Sequence, residues 1–453
     1  MIVQLKSINS GGRGKSSCFP ALFRKNMICD GLVALGVYGD AFLYRRADVQ
    51  SDDGTYKDWL ILVDGGGSGE RLRKQLNLHA AGVQYLDIVV CTHGDSDHSG
   101  GLGTFLDRWG HRPRKGANPR GAVGEFWLPG RWVGVVKALL EDPRSVFEGL
   151  MVEMDDLRQR NPDWRNLDAT KIEELISEQV KKAEIGDKNV YDGDEFVMPE
   201  EVDLRKLAAD RRKGTISSKN SREKVFSLKE SGSIGEGFGE YWISLIDTVD
   251  EIRLIAHQAL RHGSRVRWFD FEEFSIRRVA VGGINRLLKP INAVESAPMP
   301  PRIALYAMLQ LTRINEQSLV FYAPETDRNS AVLFCGDSPL GLDVNYSVPF
   351  PMIEVPHRDI LVTAPHHGSS SNDIAYRHLL SWKRDERMIL VRSGGERLHP
   401  DGEFQFFLPP ERACTNCRRA PNNFPPTAIG FIQLKSSCGS WCQLNPKRVC
   451  NCV

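Results

Sequence analysis

The sequence predicts an α/β protein with its chemistry at the carboxyl ends of buried strands. Three observations carry that reading. A continuous apolar run, Trp59 to Val63, stops at Asp64-Gly65-Gly66-Gly67. A second, Leu86 to Thr92, runs into His93-Gly94-Asp95-Ser96-Asp97-His98-Ser99-Gly100-Gly101. After a long charged middle, short β-rich runs return, most of them ending in turn or metal-capable residues. Unbroken apolar runs mark strands covered on both faces. Strand, glycine turn, helix, strand and polar loop is the order of a layered α/β protein, and such folds bind ligands beyond the carboxyl ends of their strands.

Taken in order, Ile2 to Ile8 alternates loosely and reads as a strand. Ser68 is placed to cap a helix through Glu70, Leu72 and Leu76, with Gly82 as its stop. From about Val135 to Gly263 the chain becomes helical and charged. Helical patterns span Val136 to Met151, Lys171 to Ile185 and Tyr241 to His262, and the third repeats Ile243, Ile246, Val249, Ile252, Ile255 and Ala259 on one face. The polar stretch Arg205 to Ser233 reads as a surface loop. Strand signals resume at Val266 to Phe271, Ser318 to Pro324, Ala331 to Asp337, Ile360 to Ser370 and Met388 to Gly395. The expected organisation is therefore two halves of one fold, residues 1–109 and 264–413. They are separated by a helical insertion at 110–263 and followed by a Cys-rich segment at 414–453.

Composition narrows the function classes. The 453 residues carry 59 Lys+Arg against 58 Asp+Glu, a net charge of +1, which excludes a globally basic nucleic-acid coat. No apolar run approaches the ~20 residues of a membrane span, and the first residues lack the apolar stretch of a secretion signal. The expectation is a cytoplasmic protein with no membrane partner.

His93-x-Asp95-x-Asp97-His98 packs four metal-capable side chains into six residues. Polar turns use Asp and His as caps, but not at this density. In a turn after a strand, His93 and Asp95 can serve one cation and Asp97 and His98 an adjacent one. Imidazole and carboxylate donors suit Zn²⁺ or Mn²⁺. Asp337 and the adjacent His366-His367 also follow buried strands, with Asp337 placed to bridge. A bridged pair of cations about 3.5–4 Å apart makes hydroxide near neutral pH and clamps a phosphoryl oxygen.

The order of these pieces resembles the metallo-β-lactamase fold hydrolases. The residues that carry it are Asp64, Thr92 to Gly101, Cys335 to Asp337, Ala364 to Ser370 and the later His399-Pro400. Asp95 in place of a second histidine, together with Pro365-His366-His367-Gly368-Ser369, resembles the ComEC-like branch, the soluble metallohydrolase domain of competence proteins. Ile314 to Phe321 is similar to that branch's N-x-x-S-L-V strand, which makes Asn315, Ser318 and His399 candidate substrate contacts. The resemblance implies a four-layer αβ/βα sandwich, two divalent metal ions and hydrolysis of a phosphodiester or other ester. It implies His93 and Asp95 on one metal, Asp97, His98 and His366 on the other, and Asp337 between them. Asp97 and His367 become the catalytic candidates, although which of His366 and His367 is the ligand stays open. The expected substrate is nucleic acid or a nucleotide, by attack of a metal-bound hydroxide. A lactone, amide or thioester hydrolase and a non-catalytic metal-binding module are the alternatives. The insertion is an expected lid or protein-partner surface, and its basic runs Arg205 to Lys213 and Arg261 to Trp268 are the parts expected to meet phosphate.

Six cysteines crowd the last stretch. Cys414-x-x-Cys417 and Cys438-x-x-x-Cys442 have the spacing of an additional, structural zinc site.

Overall fold

The computed structural model describes residues 29–50, 54–80, 83, 85–107, 109, 123–161, 163–167, 171–172, 174–176, 178, 211–296, 311, 317–343, 345–351, 358–383, 387–394, 402–415, 430–437, 440–444 and 450. It is a mixed α/β protein. The first six strands are β1 (Gly31–Ala34), β2 (Phe42–Gln50), β3 (Tyr56–Val63), β4 (Leu86–Val90), β5 (Val123–Pro129) and β6 (Arg265–Asp270). Later come β7 (Lys289–Pro290), β8 (Val294–Glu295), β9 (Phe321–Ala323), β10 (Val332–Phe334), β11 (Gly341–Leu342), β12 (Val348–Pro349), β13 (Ile360–Thr363), β14 (Met388–Arg392), β15 (Arg412–Cys414), β16 (Ile432–Ser437) and β17 (Ser440–Gln443). They assemble a nine-stranded sheet in the order β17-β16-β1-β2-β3-β4-β5-β6-β8, a six-stranded sheet in the order β15-β14-β13-β10-β9-β7 and a separate two-stranded pair, β11-β12.

Side-chain alternation explains why the strands read as continuous apolar runs. In a strand, successive residues point to opposite faces. Leu32, Tyr44, Ile61, Val63, Ile88 and Val90 of the larger sheet share one buried cluster with Phe321, Phe334, Leu361 and Val391 of the smaller. Their neighbours Val33, Leu43, Leu60, Leu62 and Val89 point the other way, into a cluster shared with helices. Tyr322, Leu333, Val362 and Leu390 likewise meet Ala375, Tyr376 and Leu379 on the outer side of the smaller sheet.

The helices are α1 (Gly69–His79), α2 (Ser96–Ser99), α3 (Val133–Glu141), α4 (Pro143–Arg160), α5 (Arg211–Glu230), α6 (Glu236–Arg261), α7 (Phe271–Arg277) and α8 (Asp373–Trp382). The pattern expected from Val136 to Met151 is two helices, because Pro143 cannot continue the first; Asp142 caps the second through Ser145 N–H. The pattern from Tyr241 to His262 is α6 up to Arg261, with His262 as its C-cap, and its apolar face fills the helix-side cluster. Among the described residues no helix is long and apolar enough to cross a membrane.

Four expectations need correction. Arg211–Glu230, read as loop, is α5: its buried residues Gly214, Ser218, Ser221 and Val225 recur at helical spacing but are mostly small, so no apolar stripe announces them. Ser218 Oγ donates to Asp250 Oδ2 at 2.9 Å and seats α5 on α6. Val123–Pro129, inside the stretch expected to be a helical insertion, is a strand between β4 and β6. Within the Cys-rich segment, β16 pairs with β1 and β17 with β16, extending the larger sheet. Arg267 does not wait for phosphate: it packs over the Trp127 ring and pairs with Glu125 and Glu295. Ile2 to Ile8, residues 173, 177 and 179–185 of the second helical pattern and 205–210 of the polar run lie outside the described residues, as do the side chains of Arg211, Arg212 and Lys213.

Phe321 is fully buried between the sheets, 5.1 Å from the Phe269 ring and 5.5 Å from Trp127. Phe321→Ala is expected to lower the unfolding free energy by about 3–5 kcal/mol in urea titrations. Phe406→Ala, at a position 67% exposed, should change it by less than about 0.5 kcal/mol. Equal effects would mean the sheets do not meet through this ring.

Candidate metal centre

The backbone brings together the ends of strands from both sheets. Asp64 follows β3, His93 and Asp95 follow β4, and α2 carries Asp97 and His98. From the smaller sheet, Asp337 follows β10 and His366 and His367 follow β13. Gly336 lets Asp337 in: its φ is +51°, and a Cβ there would sit 2.2 Å from Ser318 Oγ. Asp64, His366 and His367 also have left-handed backbones, with φ of 58°, 46° and 52°. Such conformations cost of order 1–3 kcal/mol each and persist where surrounding structure imposes them, often at functional sites.

Every histidine in the group is held at Nδ1. Asp64 accepts from Thr92 N–H and Thr92 Oγ1–H, both at 2.8 Å, and its Oδ2 lies 3.0 Å from His98 Nδ1. Because Thr92 Oγ1 spends its hydrogen on Asp64, it accepts from His93 Nδ1–H at 2.9 Å. His367 Nδ1 faces two acceptors, Asp40 Oδ1 at 3.1 Å and Ser393 O at 3.0 Å. His366 Nδ1 lies 3.3 Å from Ser371 Oγ. Holding Nδ1–H in this way fixes the tautomer and turns Nε2 inward as a lone-pair donor.

The Nε2 atoms converge on Asp337, which is 3% exposed. Oδ1 of Asp337 is 3.0 Å from His98 Nε2, while Oδ2 is 3.7 Å from both His93 Nε2 and His366 Nε2. His93 Nε2 is also 3.7 Å from Asp95 Oδ2, and His367 Nε2 is 2.9 Å from Asp97 Oδ2. Ligand-capable atoms of Asp40, His98, Asp337 and His367 lie within 4.8 Å of one another, as do those of His93, Asp95 and Asp337. These two groups share Asp337.

The donor set fits a divalent cation. His93 Nε2, His98 Nε2 and Asp337 Oδ1 are buried and make no well-aligned hydrogen bond among the described residues, the 3.0 Å approach of His98 to Asp337 being an ion contact. Buried polar atoms left in that state cost about 1–3 kcal/mol each, and a cation among them would satisfy all three. Without one, the groups neutralise each other as ions. Burial alone would lower the pKa of His98, but Asp337, Asp64 and Asp97 hold it well above the ordinary histidine value. Burial of His367 is overcome in the same way by Asp40, Asp97 and Asp337. Burial would raise Asp337 and Asp97, yet the facing imidazoles keep both below the usual carboxylate range. At Asp40 burial outweighs His367, and its pKa is raised.

The sequence reading placed His93, Asp95, Asp97, His98, Asp337, His366 and His367 together, and they are together. Of the two adjacent histidines, whose roles the sequence left open, His367 is buried against Asp97, and His366 is the more exposed one, beside Asp337 Oδ2. Ser318, expected to touch substrate, is fully buried; its Oγ accepts from Asp337 N–H and lies 3.2 Å from His93 Nδ1, so it positions both. Asn315, His399, Cys417 and Cys438 lie outside the described residues. Two residues that anchor imidazoles had no assigned role. Asp64 was signalled by its place in Asp-Gly-Gly-Gly after a strand, whereas Asp40 looked like an interruption in an apolar run.

Residues 55–177 match the metallo-beta-lactamase superfamily. That span carries Asp64, His93, Asp95, Asp97 and His98, and ends before Asp337, His366 and His367. No curated protein matches the chain.

The ionic cluster sets a pH dependence for protein stripped of metal by chelation. His98 and His367 are raised, so their stabilising contribution is complete below about pH 6.5, the unfolded histidine value, and is lost as pH rises through their folded values. Asp97 and Asp337 are lowered, so theirs holds above about pH 3.9 and is lost in acid. Stability measured in urea should therefore peak between these limits and decline into the alkaline range. Metal affinity should rise over that same alkaline range, because the imidazoles must shed protons to bind. A stripped protein that grows more stable with alkali would contradict the ionic assignment.

Proposed function

We propose that this chain is a metal-dependent hydrolase of phosphodiesters, acting on nucleic acid or a nucleotide. The observation that carries it is the division of donors around Asp337. In this reading His93, Asp95 and His366 hold one divalent cation, Asp97, His98 and His367 hold a second, and the two oxygens of Asp337 face one each. The match of residues 55–177 to the metallo-beta-lactamase superfamily supports a hydrolase. The four-layer αβ/βα sandwich and the ComEC-like affinity belong to the same proposal, supported by the shared inter-sheet cluster and by Asp95 standing where a second histidine would. The imidazoles suit Zn²⁺, and the carboxylates of Asp95, Asp97 and Asp337 add oxygen donors that also suit Mn²⁺.

Two cations so placed would lower the pKa of water to near neutrality and offset charge on a phosphoryl oxygen. The protein's own groups do the positioning. Asp64, Thr92, Asp40 and Ser393 lock the imidazoles before substrate arrives. Asp97 is the open carboxylate of the set, its side chain 46% exposed. Kept ionised by His367 and His98, it is placed to accept a hydrogen bond from the attacking water and align it. The helices between 133 and 261 are proposed as a substrate wall or protein-partner surface.

Purified protein loaded with Zn²⁺ or Mn²⁺ should cleave a chromogenic phosphodiester and lose that activity to chelation, reversibly. Asp97→Ala should lower kcat by about 10²–10⁴-fold while the protein keeps the circular dichroism of the folded wild type. Turnover of a lactone or thioester with none on phosphodiesters would transfer the assignment to that class. Metal binding without any turnover would favour a regulatory module.

A further inference from the structure

His366, His367 and Gly368 are three successive residues at positive φ, 46°, 52° and 87°. For a residue with a Cβ this conformation costs about 1–2 kcal/mol and is ordinarily visited singly. A run of this kind persists only where its surroundings hold it. Each of the three backbone carbonyls around the two histidines is held by a donor. Tyr376 Oη donates to Pro365 O at 2.5 Å, Ser369 N–H to His366 O at 2.9 Å, and Arg392 Nε–H to His367 O at 2.6 Å. On the amide side, His366 N–H donates to Gly336 O at 3.2 Å, next to Asp337. Two of the carbonyl donors come from outside the turn, Tyr376 from α8 and Arg392 from the end of β14, and both are fully buried.

Packing alone does not account for either side chain. The Tyr376 ring meets Phe404 and Phe407 edge-on, contacts that a phenylalanine would make equally well. Its hydroxyl adds the bond to Pro365. Arg392 follows the buried apolar run Met388 to Val391, and a buried guanidinium is costly unless it is hydrogen-bonded. Its bond to the His367 carbonyl is charge-assisted, roughly twice as strong as a neutral one. In an extended strand, adjacent side chains point to opposite faces. In this turn both imidazoles reach one site, their ring centres 6.3 Å apart. His366 Nε2 lies 3.7 Å from Asp337 Oδ2, and His367 Nε2 lies 2.9 Å from Asp97 Oδ2. We propose that Tyr376 and Arg392 are positioning residues of the metal centre: by holding the carbonyls of Pro365 and His367, they fix the left-handed turn that brings one histidine to each cation. The inference rests on the two-cation reading of the site given above. Both residues act through the backbone of the turn.

The test is the zinc affinity of the full chain, stripped by chelation and then titrated with Zn²⁺ against a chromogenic chelator. Circular dichroism first establishes that each variant is folded. Tyr376→Phe keeps the ring and removes only the hydroxyl. Arg392→Lys keeps the charge and removes the Nε donor. Each should weaken zinc binding by about 10–100-fold, the effect of losing a group that orients a metal ligand. Phe404→Leu is the control: it loosens the packing on Tyr376 and removes neither bond, so it should lower the urea midpoint and leave zinc affinity at the wild-type value. Wild-type zinc affinity in folded Tyr376→Phe, or an equal loss of affinity in Phe404→Leu, would overturn the proposal. If one of the two positioning variants does not fold, the other decides. A wild-type chain that binds zinc and hydrolyses no phosphodiester would remove the hydrolase reading and leave this one standing. A wild-type chain without zinc affinity would overturn both.

Discussion

The fold is organised around one buried carboxylate. Asp337 enters from the smaller sheet and meets imidazoles from both sheets, and nothing in that position is tolerable unless its neighbours are fixed. Removing a charge from water costs several kcal/mol even after relaxation. Here that cost is met by geometry: each imidazole has its outer nitrogen tied down, so its inner nitrogen has one direction left. Thr92 shows how far this reaches. One hydroxyl gives its hydrogen to Asp64 and its lone pair to His93, linking the ends of two neighbouring strands through a single oxygen.

The scaffold follows from that demand. Left-handed backbone at Asp64, His366 and His367 is sustained because the strands before them are packed on both faces and cannot shift to relieve it. Water is kept from the outer nitrogens of His93, His98 and His367 by the same packing, which makes each of those hydrogen bonds count for more than it would at a surface. What remains open is the side of Asp97, and the polarity of the site runs from a closed rear at Asp64 and Asp40 to an accessible front.

Much of this was readable beforehand, and the failures have physical causes. Runs such as Leu86 to Val90 were plain because burial on both faces removes polar residues from them. The loop from His93 to His98 was plain because so many donors in six residues have few other uses. Spacing alone left His366 and His367 undecided, since at positive φ adjacent side chains leave the backbone in directions that ordinary strand alternation does not describe. Asp40 was illegible because its partner is 327 positions away. Helix Arg211–Glu230 escaped because serine and glycine can form a buried stripe without being hydrophobic. Strand Val123–Pro129 and the C-terminal strands escaped because their partners are distant in sequence, and pairing rather than local pattern defines them.

The pairing of β1 with β16 bears on synthesis. Ala34 lies opposite Ile432, so one side of β1 stays without its partner while roughly 400 further residues are made, tens of seconds at about 5–20 residues per second. During that interval the nascent chain presents an open, apolar strand edge, the feature through which chains recruit one another. β16 is thus the strand that ends this exposure, and termination before Ile432 would release a chain with a docking edge for its own kind.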